Sequence, residues 1–226
     1  FLRKRGISMI GYYNYSVILT YIGLASAVYG MVQAMSYNPR VAILCLMVCG
    51  LCDAFDGAIA RTCKRTEDEK SFGMQIDSLC DLICFGVFPA IIGYGLGIRS
   101  IGGYLCMFFY ILATVIRLGY FNVQEMNRVQ QEGEAKRKYY TGLPVTNVSL
   151  LIPCFILLDI FTKRSFIRLY NIALLLIGMA FLSKIKVRKL YLHGLIVVAC
   201  LSSIVFFLIF RYGGNIICLP VSTTPV

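Results

Sequence analysis

The chain has 226 residues, of which 58% are hydrophobic, and a formal net charge of +11. Its mean hydropathy of +0.75 favours an integral membrane protein. The composition argues against a separate soluble domain, because the longest polar connection runs only from Val123 to Thr141.

The predicted elements begin with residues 1–15, which combine basic and aromatic side chains and predict an interfacial amphipathic helix. Seven apolar runs follow, most of them close to the roughly 20 residues that a helix needs to cross about 30 Å of hydrocarbon. They cover residues 17–35, 41–60, 73–98, 100–121, 143–161, 166–183 and 190–210. The fifth run is the weakest, because it contains Pro153 and Asp159.

The basic residues predict the orientation of these helices. With the N-terminus in the cytoplasm, fifteen basic residues fall on the inner side and six on the outer side, and Arg117 lies within a helix. Membrane orientation and attraction to anionic lipids account for the net charge, so we expect no nucleic-acid partner.

Four aspartates interrupt the second and third apolar runs near the predicted cytoplasmic face. Asp53, Asp56, Gly57 and Ala60 share one helical stripe, and Gly73, Asp77 and Asp81 share another. Each buried carboxylate opposes insertion by about 2.5 to 3.5 kcal/mol, so cations are expected to meet them. If the two helices pack antiparallel through their small residues, all four carboxylates converge.

The four carboxylates of the two stripes match two divalent cations, and hard oxygen ligands favour Mg²⁺ or Mn²⁺ over zinc. Two-metal sites commonly serve phosphoryl chemistry. The ten cysteines lie mostly in apolar runs and are interpreted as packing residues, and His193 as an interfacial residue.

Written out, the two stripes and their connection read Asp53-x2-Asp56-Gly57-x2-Ala60-Arg61-x11-Gly73-x3-Asp77-x3-Asp81. This pattern resembles the signature of the CDP-alcohol phosphatidyltransferase family, membrane enzymes that move a phosphatidyl group from a CDP-lipid to an alcohol and release CMP. The connection from Arg61 to Gly73 is slightly longer than is usual in that family, and its charged segment, residues 62–70, predicts a solvated loop.

The sequence around and after Gly73 is similar to that of bacterial phosphatidylserine synthases. The matching pieces are Ser71-Phe72-Gly73, Asp77-Ser78-Leu79, Asp81-Leu82, Phe85-Gly86-Val87, Pro89-Ala90, the segment from Arg117 to Asn122 and the turn Gly142-Leu143-Pro144. The resemblance implies an all-α membrane fold with a six-helix core over residues 16–185, and residues 186–226 then supply an additional C-terminal helix and tail.

The resemblance also implies substrates and roles. CDP-diacylglycerol and L-serine are the expected substrates, and Asp53, Asp56 and Asp77 the expected metal ligands. Asp81 is expected to be both ligand and general base. The expected CDP-lipid contacts are Gly57, Ala60, Arg61, Ser71 and Gly73. The resemblance also implies a homodimer in the bacterial inner membrane, with its active site facing the cytoplasm.

The acceptor site is predicted from Arg117, because an arginine within a membrane helix is a functional candidate. It would pair with the serine carboxylate or a substrate phosphate, or else with a motif aspartate; Asn122, Gly142 and Pro144 are candidates for the same pocket. Two other functions stay open from the sequence: a sibling transferase using glycerol 3-phosphate or inositol phosphate, and a divalent-cation transporter.

Overall fold

The computed structural model describes residues 17–60, 66–132, 139–141, 143–162, 166–184, 186–188 and 192–212. A helix lies in each of the seven predicted apolar runs, which confirms the prediction of an all-α integral membrane protein. The predicted interfacial segment, residues 1–15, lies outside the described residues.

The helices, in chain order, are α1 (Ile18–Met35), α2 (Pro39–Ala60), α3 (Glu67–Asp81), a π-helical segment (Leu82–Val87), α4 (Phe88–Gly95), α5 (Ile101–Glu132), α6 (Val148–Thr162), α7 (Phe166–Leu182) and α8 (Leu192–Tyr212). A 3₁₀ turn, Val145–Asn147, precedes α6 directly. Since α3, the π segment and α4 follow one another without a break, they form one continuous helix.

By length and composition alone, three helical stretches of the described chain are long and apolar enough to cross a membrane: Ile18–Met35, Asp68–Gly95 and Ile101–Asn127. Shorter apolar stretches lie in α6, α7 and α8. Pro153 is accommodated inside α6, which has 15 residues.

The predicted solvated loop over residues 62–70 is wrong from residue 67 onward, because α3 already begins at Glu67. Thr66 and Glu69 form a capping box, in which the Thr66 hydroxyl accepts from the Glu69 backbone N–H and the Glu69 carboxylate accepts from that of Thr66. This arrangement satisfies backbone donors that a helix start leaves exposed. The helix therefore extends through polar residues beyond the apolar run.

Helix α5 likewise continues past the apolar run that ends at residue 121. It reaches Glu132 and has 32 residues, about 48 Å at 1.5 Å per residue. The added turns contain Gln, Glu, Met and Arg, all good helix formers. The predicted polar connection beginning at Val123 is therefore helical over its first ten residues.

Small residues let α1 and α2 approach closely. The buried positions of α1 are Gly23, Ala27, Gly30 and Ala34, one stripe of the helix. A Cβ atom added to Gly30 would lie 2.7 Å from the Cβ of Cys45 on α2. Such contacts are typical of helix packing in membranes, where close backbone approach replaces the hydrophobic driving force.

Two contacts between distant segments organise the ends of the bundle. The start of α2 meets the end of α8, where the Arg40 guanidinium donates to the Phe210 backbone carbonyl. The same guanidinium lies 4.8 Å from the centre of the Phe210 ring. At the other end, strand β1 (Tyr139–Thr141) pairs antiparallel with strand β2 (Lys186–Arg188). This ladder joins the α5–α6 connection to the α7–α8 connection, both at the end of the bundle where α2 finishes.

Candidate metal centre

Three of the four motif aspartates meet where the end of α2 lies beside α3. The Asp53, Asp56 and Asp77 side chains each offer a carboxylate oxygen, and these atoms all lie within 4.8 Å of one another. Asp56 is buried and the other two are half-buried. Carboxylates so close repel one another, and a divalent cation between them converts this repulsion into attraction. The donor set therefore suits a hard dication.

Asp81 lies one helical turn beyond Asp77 and joins the cluster through Asp53. The two carboxyl groups are close enough for a side-chain hydrogen bond. Asp81 is half-buried. The structure thus brings three of the four aspartates within 4.8 Å of one another, and Asp81 adjoins them through Asp53.

Thr20 on α1 also contacts the cluster, and sequence reasoning missed it. Its hydroxyl donates to a carboxylate oxygen of Asp56 over 3.2 Å. This hydrogen bond fixes one Asp56 oxygen, as outer-shell partners of metal-ligating carboxylates generally do. The two residues are 36 positions apart, so periodicity within either helix gives no sign of the contact.

The predicted acceptor residue Asn122 is connected to the motif helix. Its side-chain carbonyl accepts a hydrogen bond of 2.9 Å from the hydroxyl of Ser78, the residue after Asp77. The contact ties α3 to α5 beside the carboxylate cluster. Sequence reasoning had quoted Ser78 only as part of a motif, without a role.

The second predicted acceptor residue, Arg117, is buried on α5, with 6% of its surface exposed. Its Nε–H donates to the Leu143 carbonyl over 3.3 Å, and its guanidinium lies 5.7 Å from the centre of the Phe121 ring. Arg117 therefore connects α5 to the turn that precedes α6. Pro144, the last residue of that turn, is the N-cap of the 3₁₀ segment and has ψ 136°.

The predicted CDP-lipid contacts lie around the same end of the bundle. Gly57 and Ala60 belong to the last turns of α2, and Ser71 and Gly73 to the first turns of α3. Ser71 is exposed and Gly73 is half-buried. Arg61 and Gly142 lie outside the described residues.

Comparison with known proteins identifies the family. The sequence model of the CDP-alcohol phosphatidyltransferases matches residues 13–185, most of the chain. The chain belongs to the CDP-alcohol phosphatidyltransferase family. The matched residues include the whole aspartate cluster and Thr20, Asn122 and Arg117, whereas α8 follows the matched region.

Several relatives carry the name of one activity within this family. The CDP-diacylglycerol–serine O-phosphatidyltransferase of Bacillus subtilis is 29% identical over 156 residues, which cover 68% of this chain and 75% of that protein. The protein of the same name from Saccharomyces cerevisiae is 34% identical over 104 residues, 46% of this chain. An archaetidylserine synthase from Methanothermobacter thermautotrophicus is 28% identical over 153 residues, 66% of this chain and 60% of that protein.

The chain matches only 37% of the length of the yeast relative. The names of all three relatives refer to serine transfer or to serine-lipid synthesis. This agreement supports the sequence resemblance to phosphatidylserine synthases.

Proposed function

We propose that this protein transfers the phosphatidyl group of CDP-diacylglycerol to the hydroxyl of L-serine, producing phosphatidylserine and CMP. The observation that carries the proposal is the cluster of Asp53, Asp56 and Asp77 oxygens within 4.8 Å, at one end of a helix pair in a chain of this family. The names of the relatives supply the acceptor.

Two divalent cations, Mg²⁺ or Mn²⁺, are the proposed cofactors, and Asp53, Asp56, Asp77 and Asp81 would hold them. When bound, such ions neutralise the pyrophosphate of the CDP-lipid and stabilise charge on departing CMP. Among the described residues, the group whose ligand atoms lie within 4.8 Å of one another consists of carboxylates, which fit these hard ions. Thr20 keeps one oxygen of Asp56 oriented toward α1.

Asp81 is the proposed general base. The serine hydroxyl has a pKa far above 7, so a carboxylate within hydrogen-bond reach accelerates its attack by accepting the proton. The contact of Asp81 with Asp53 supports this role, because it keeps the base next to the proposed ligands. The O–P bond to serine then forms as the bond between phosphorus and the CMP oxygen breaks.

The nucleotide end of the CDP-lipid is proposed to lie along Gly57, Ala60 and Gly73, where the absence of bulk allows close approach. Arg61 pairs with a phosphate in this proposal, and Ser71 contacts the nucleotide. The exposed position of Ser71 on α3 agrees with contact to a ligand that enters from outside the bundle.

The serine carboxylate is proposed to bind near Arg117, with Asn122 and the turn from Gly142 to Pro144 lining the same pocket. Two contacts support this arrangement: Arg117 to Leu143, and Asn122 to Ser78. They connect the predicted acceptor residues with the aspartate helix on one side and the turn on the other. A buried guanidinium is well suited to bind a carboxylate.

A homodimer in the bacterial inner membrane, with the aspartates open to the cytoplasm, is the remaining part of the proposal. The inner-side excess of basic residues supports this orientation. Native mass spectrometry of the detergent-solubilised protein tests the dimer, and a monomer at every detergent concentration would contradict it.

An acceptor screen tests the proposed function. Purified protein is given CDP-diacylglycerol, Mn²⁺ or Mg²⁺ and one of L-serine, glycerol 3-phosphate or inositol phosphate, and both CMP and the lipid product are measured. Phosphatidylserine should appear with L-serine alone. A lipid product formed only with glycerol 3-phosphate or inositol phosphate would show that serine is not the acceptor. Transport of the metal into proteoliposomes without CMP release would contradict the proposal that the protein is an enzyme.

A further inference from the structure

The helix that bears Asp77 and Asp81 changes its hydrogen-bond pattern immediately after Asp81. Leu82–Val87 is π-helical, and the Phe88 N–H at its end donates to the Ile83 carbonyl, five residues earlier. A π turn contains about one residue more than an α turn, so it rotates the preceding part of a helix by about 100° relative to an unbroken one. The direction of Asp81 relative to α4 therefore depends on this segment.

Pro89 gives the π segment a local cause. In an uninterrupted α-helix residue 89 would donate to the Phe85 carbonyl, but proline has no N–H and its ring collides with that carbonyl. The Phe85 carbonyl therefore needs a donor from elsewhere. The structure supplies one from α5, because the buried Tyr110 hydroxyl donates to the Phe85 carbonyl.

The neighbouring turn of α5 holds the next residue of the π segment. The Thr114 hydroxyl donates to the Tyr110 carbonyl over 2.9 Å, and its side chain packs on Gly86. A Cβ atom added to Gly86 would lie 3.0 Å from Leu82 Cδ1, 3.1 Å from Thr114 Cγ2 and 3.3 Å from Thr114 Cβ. Tyr110 and Thr114 thus fix the backbone at Phe85 and Gly86, one turn after Asp81.

A second buried tyrosine, Tyr170, also donates to the helix that carries Asp77 and Asp81, and it provides a comparison for Tyr110. The buried Tyr170 hydroxyl on α7 donates to the Pro89 carbonyl over 2.7 Å. Both tyrosines are buried and both donate to a backbone carbonyl of this helix. Tyr170 acts beyond the π segment, on the side away from Asp81, whereas Tyr110 acts within it.

We infer that Tyr110 is a positioning residue for the metal centre: its hydroxyl stabilises the π segment, and the π segment aims Asp81 at the other three aspartates. The inference rests on the proposed function, since it assumes that the aspartates bind a dication. Tyr110 touches neither the aspartates' metal nor a substrate in this scheme. It acts through the backbone between Phe85 and Asp81.

Mn²⁺ binding to Tyr110→Phe and Tyr170→Phe tests the inference without relying on turnover. Each variant loses one buried hydroxyl, so both should lower the melting temperature by similar amounts. By electron paramagnetic resonance of free Mn²⁺, Tyr110→Phe should weaken Mn²⁺ binding about tenfold, as loss of an outer-shell contact typically does, and Tyr170→Phe by less than about twofold. CMP release should follow the same order.

A second pair of variants tests the π segment if Tyr110→Phe does not fold. Gly86→Ala should weaken Mn²⁺ binding by pressing against Leu82 and Thr114, and adding Thr114→Ser, which removes the contacting Cγ2 methyl, should restore part of it. Equal Mn²⁺ affinity in wild type, Tyr110→Phe and Gly86→Ala would overturn the inference while leaving the proposed function intact. Equal weakening by Tyr170→Phe would also overturn it. Wild-type protein that binds no Mn²⁺ would overturn both.

Discussion

The aspartates have different neighbours, and these differences agree with the different roles proposed for them, as metal ligands or as the general base. Asp56 is buried and accepts from Thr20, whereas Asp81 lies at the start of the π segment and contacts Asp53. This hydrogen bond fits the proposed role of Asp56 as a ligand. Asp81, the last of the four along the chain, is the one proposed to take a proton.

Asp81→Asn should separate these tasks. The other three carboxylates remain, so CDP-diacylglycerol and metal should still bind, with an Mn²⁺ affinity lowered at least as far as in Tyr110→Phe. At saturating metal the chemical step should slow by about 100-fold or more, the typical range for loss of a general base. Thermal shift with Mg²⁺ and CDP-diacylglycerol reports binding, and CMP release reports turnover. If binding disappears as completely as in Asp53→Asn, Asp81 is mainly a ligand.

Thr20→Val should lower turnover by about tenfold, because it removes the hydroxyl that orients Asp56 while keeping the side chain's shape. Thr20→Ser keeps the donor and should retain most of the activity. Ser26→Ala is the matched control on the same helix, since the Ser26 hydroxyl donates to the Cys45 carbonyl and not to an aspartate. Equal loss in Thr20→Val and Ser26→Ala would show that Thr20 is only structural.

At the scale of elements, hydropathy predicted where the helices lie but not where they end. The start of α3 depends on the Thr66–Glu69 capping box, a short signal that the charged residues around it obscured. Pro89 is a local signal for a break in the α-helical pattern, but the π segment also depends on the Tyr110 hydroxyl, which reaches the Phe85 carbonyl from 25 residues away and could not be predicted from the local sequence. Within each helix the spacing of the aspartates was sufficient to predict one stripe, whereas the Thr20–Asp56 contact depends on how α1 packs.

Glycine contacts between helices give a test of the packing. Gly95→Ala would place Cβ 2.3 Å from the Ala34 carbonyl oxygen of α1, a backbone atom that cannot move aside alone, so the variant should lose about 1 to 3 kcal/mol. Gly102→Ala meets nothing within 4 Å and should be neutral or slightly stabilising. Thermal unfolding in detergent checks both. Equal melting temperatures for the two variants would contradict the packing of α1 on α4.

At the scale of the whole molecule, the helices alternate in direction. The α5–α6 and α7–α8 connections, which contain β1 and β2, therefore both lie at the end of the bundle that holds the aspartates. The turn between α1 and α2, which contains the exposed Tyr37, lies at the opposite end. The family's chemistry needs CDP-lipid and metal at the aspartate end only. The basic residues, fifteen of 22 on that side in the predicted orientation, fit an enzyme that draws its substrates from one face of the membrane.

Topology mapping tests this arrangement. An impermeant thiol reagent added to whole cells should label Tyr37→Cys above the wild-type background, and it should label Asp68→Cys only after the cells are opened. Asp68 is exposed at the start of α3, so its protection in intact cells would reflect sidedness and not burial. The reverse pattern would invert the proposed orientation while leaving the fold unchanged.

The most direct test of the central claim is metal-dependent CMP release by single aspartate variants. Asp53→Asn, Asp56→Asn and Asp77→Asn should insert normally but lose about 100-fold or more in turnover at saturating Mn²⁺, because each removes charge from a shared dication site. Asp68→Asn, an exposed acidic position on the same helix as Asp77, should behave as wild type. Near-normal CMP release in any two of the three cluster variants would contradict the account.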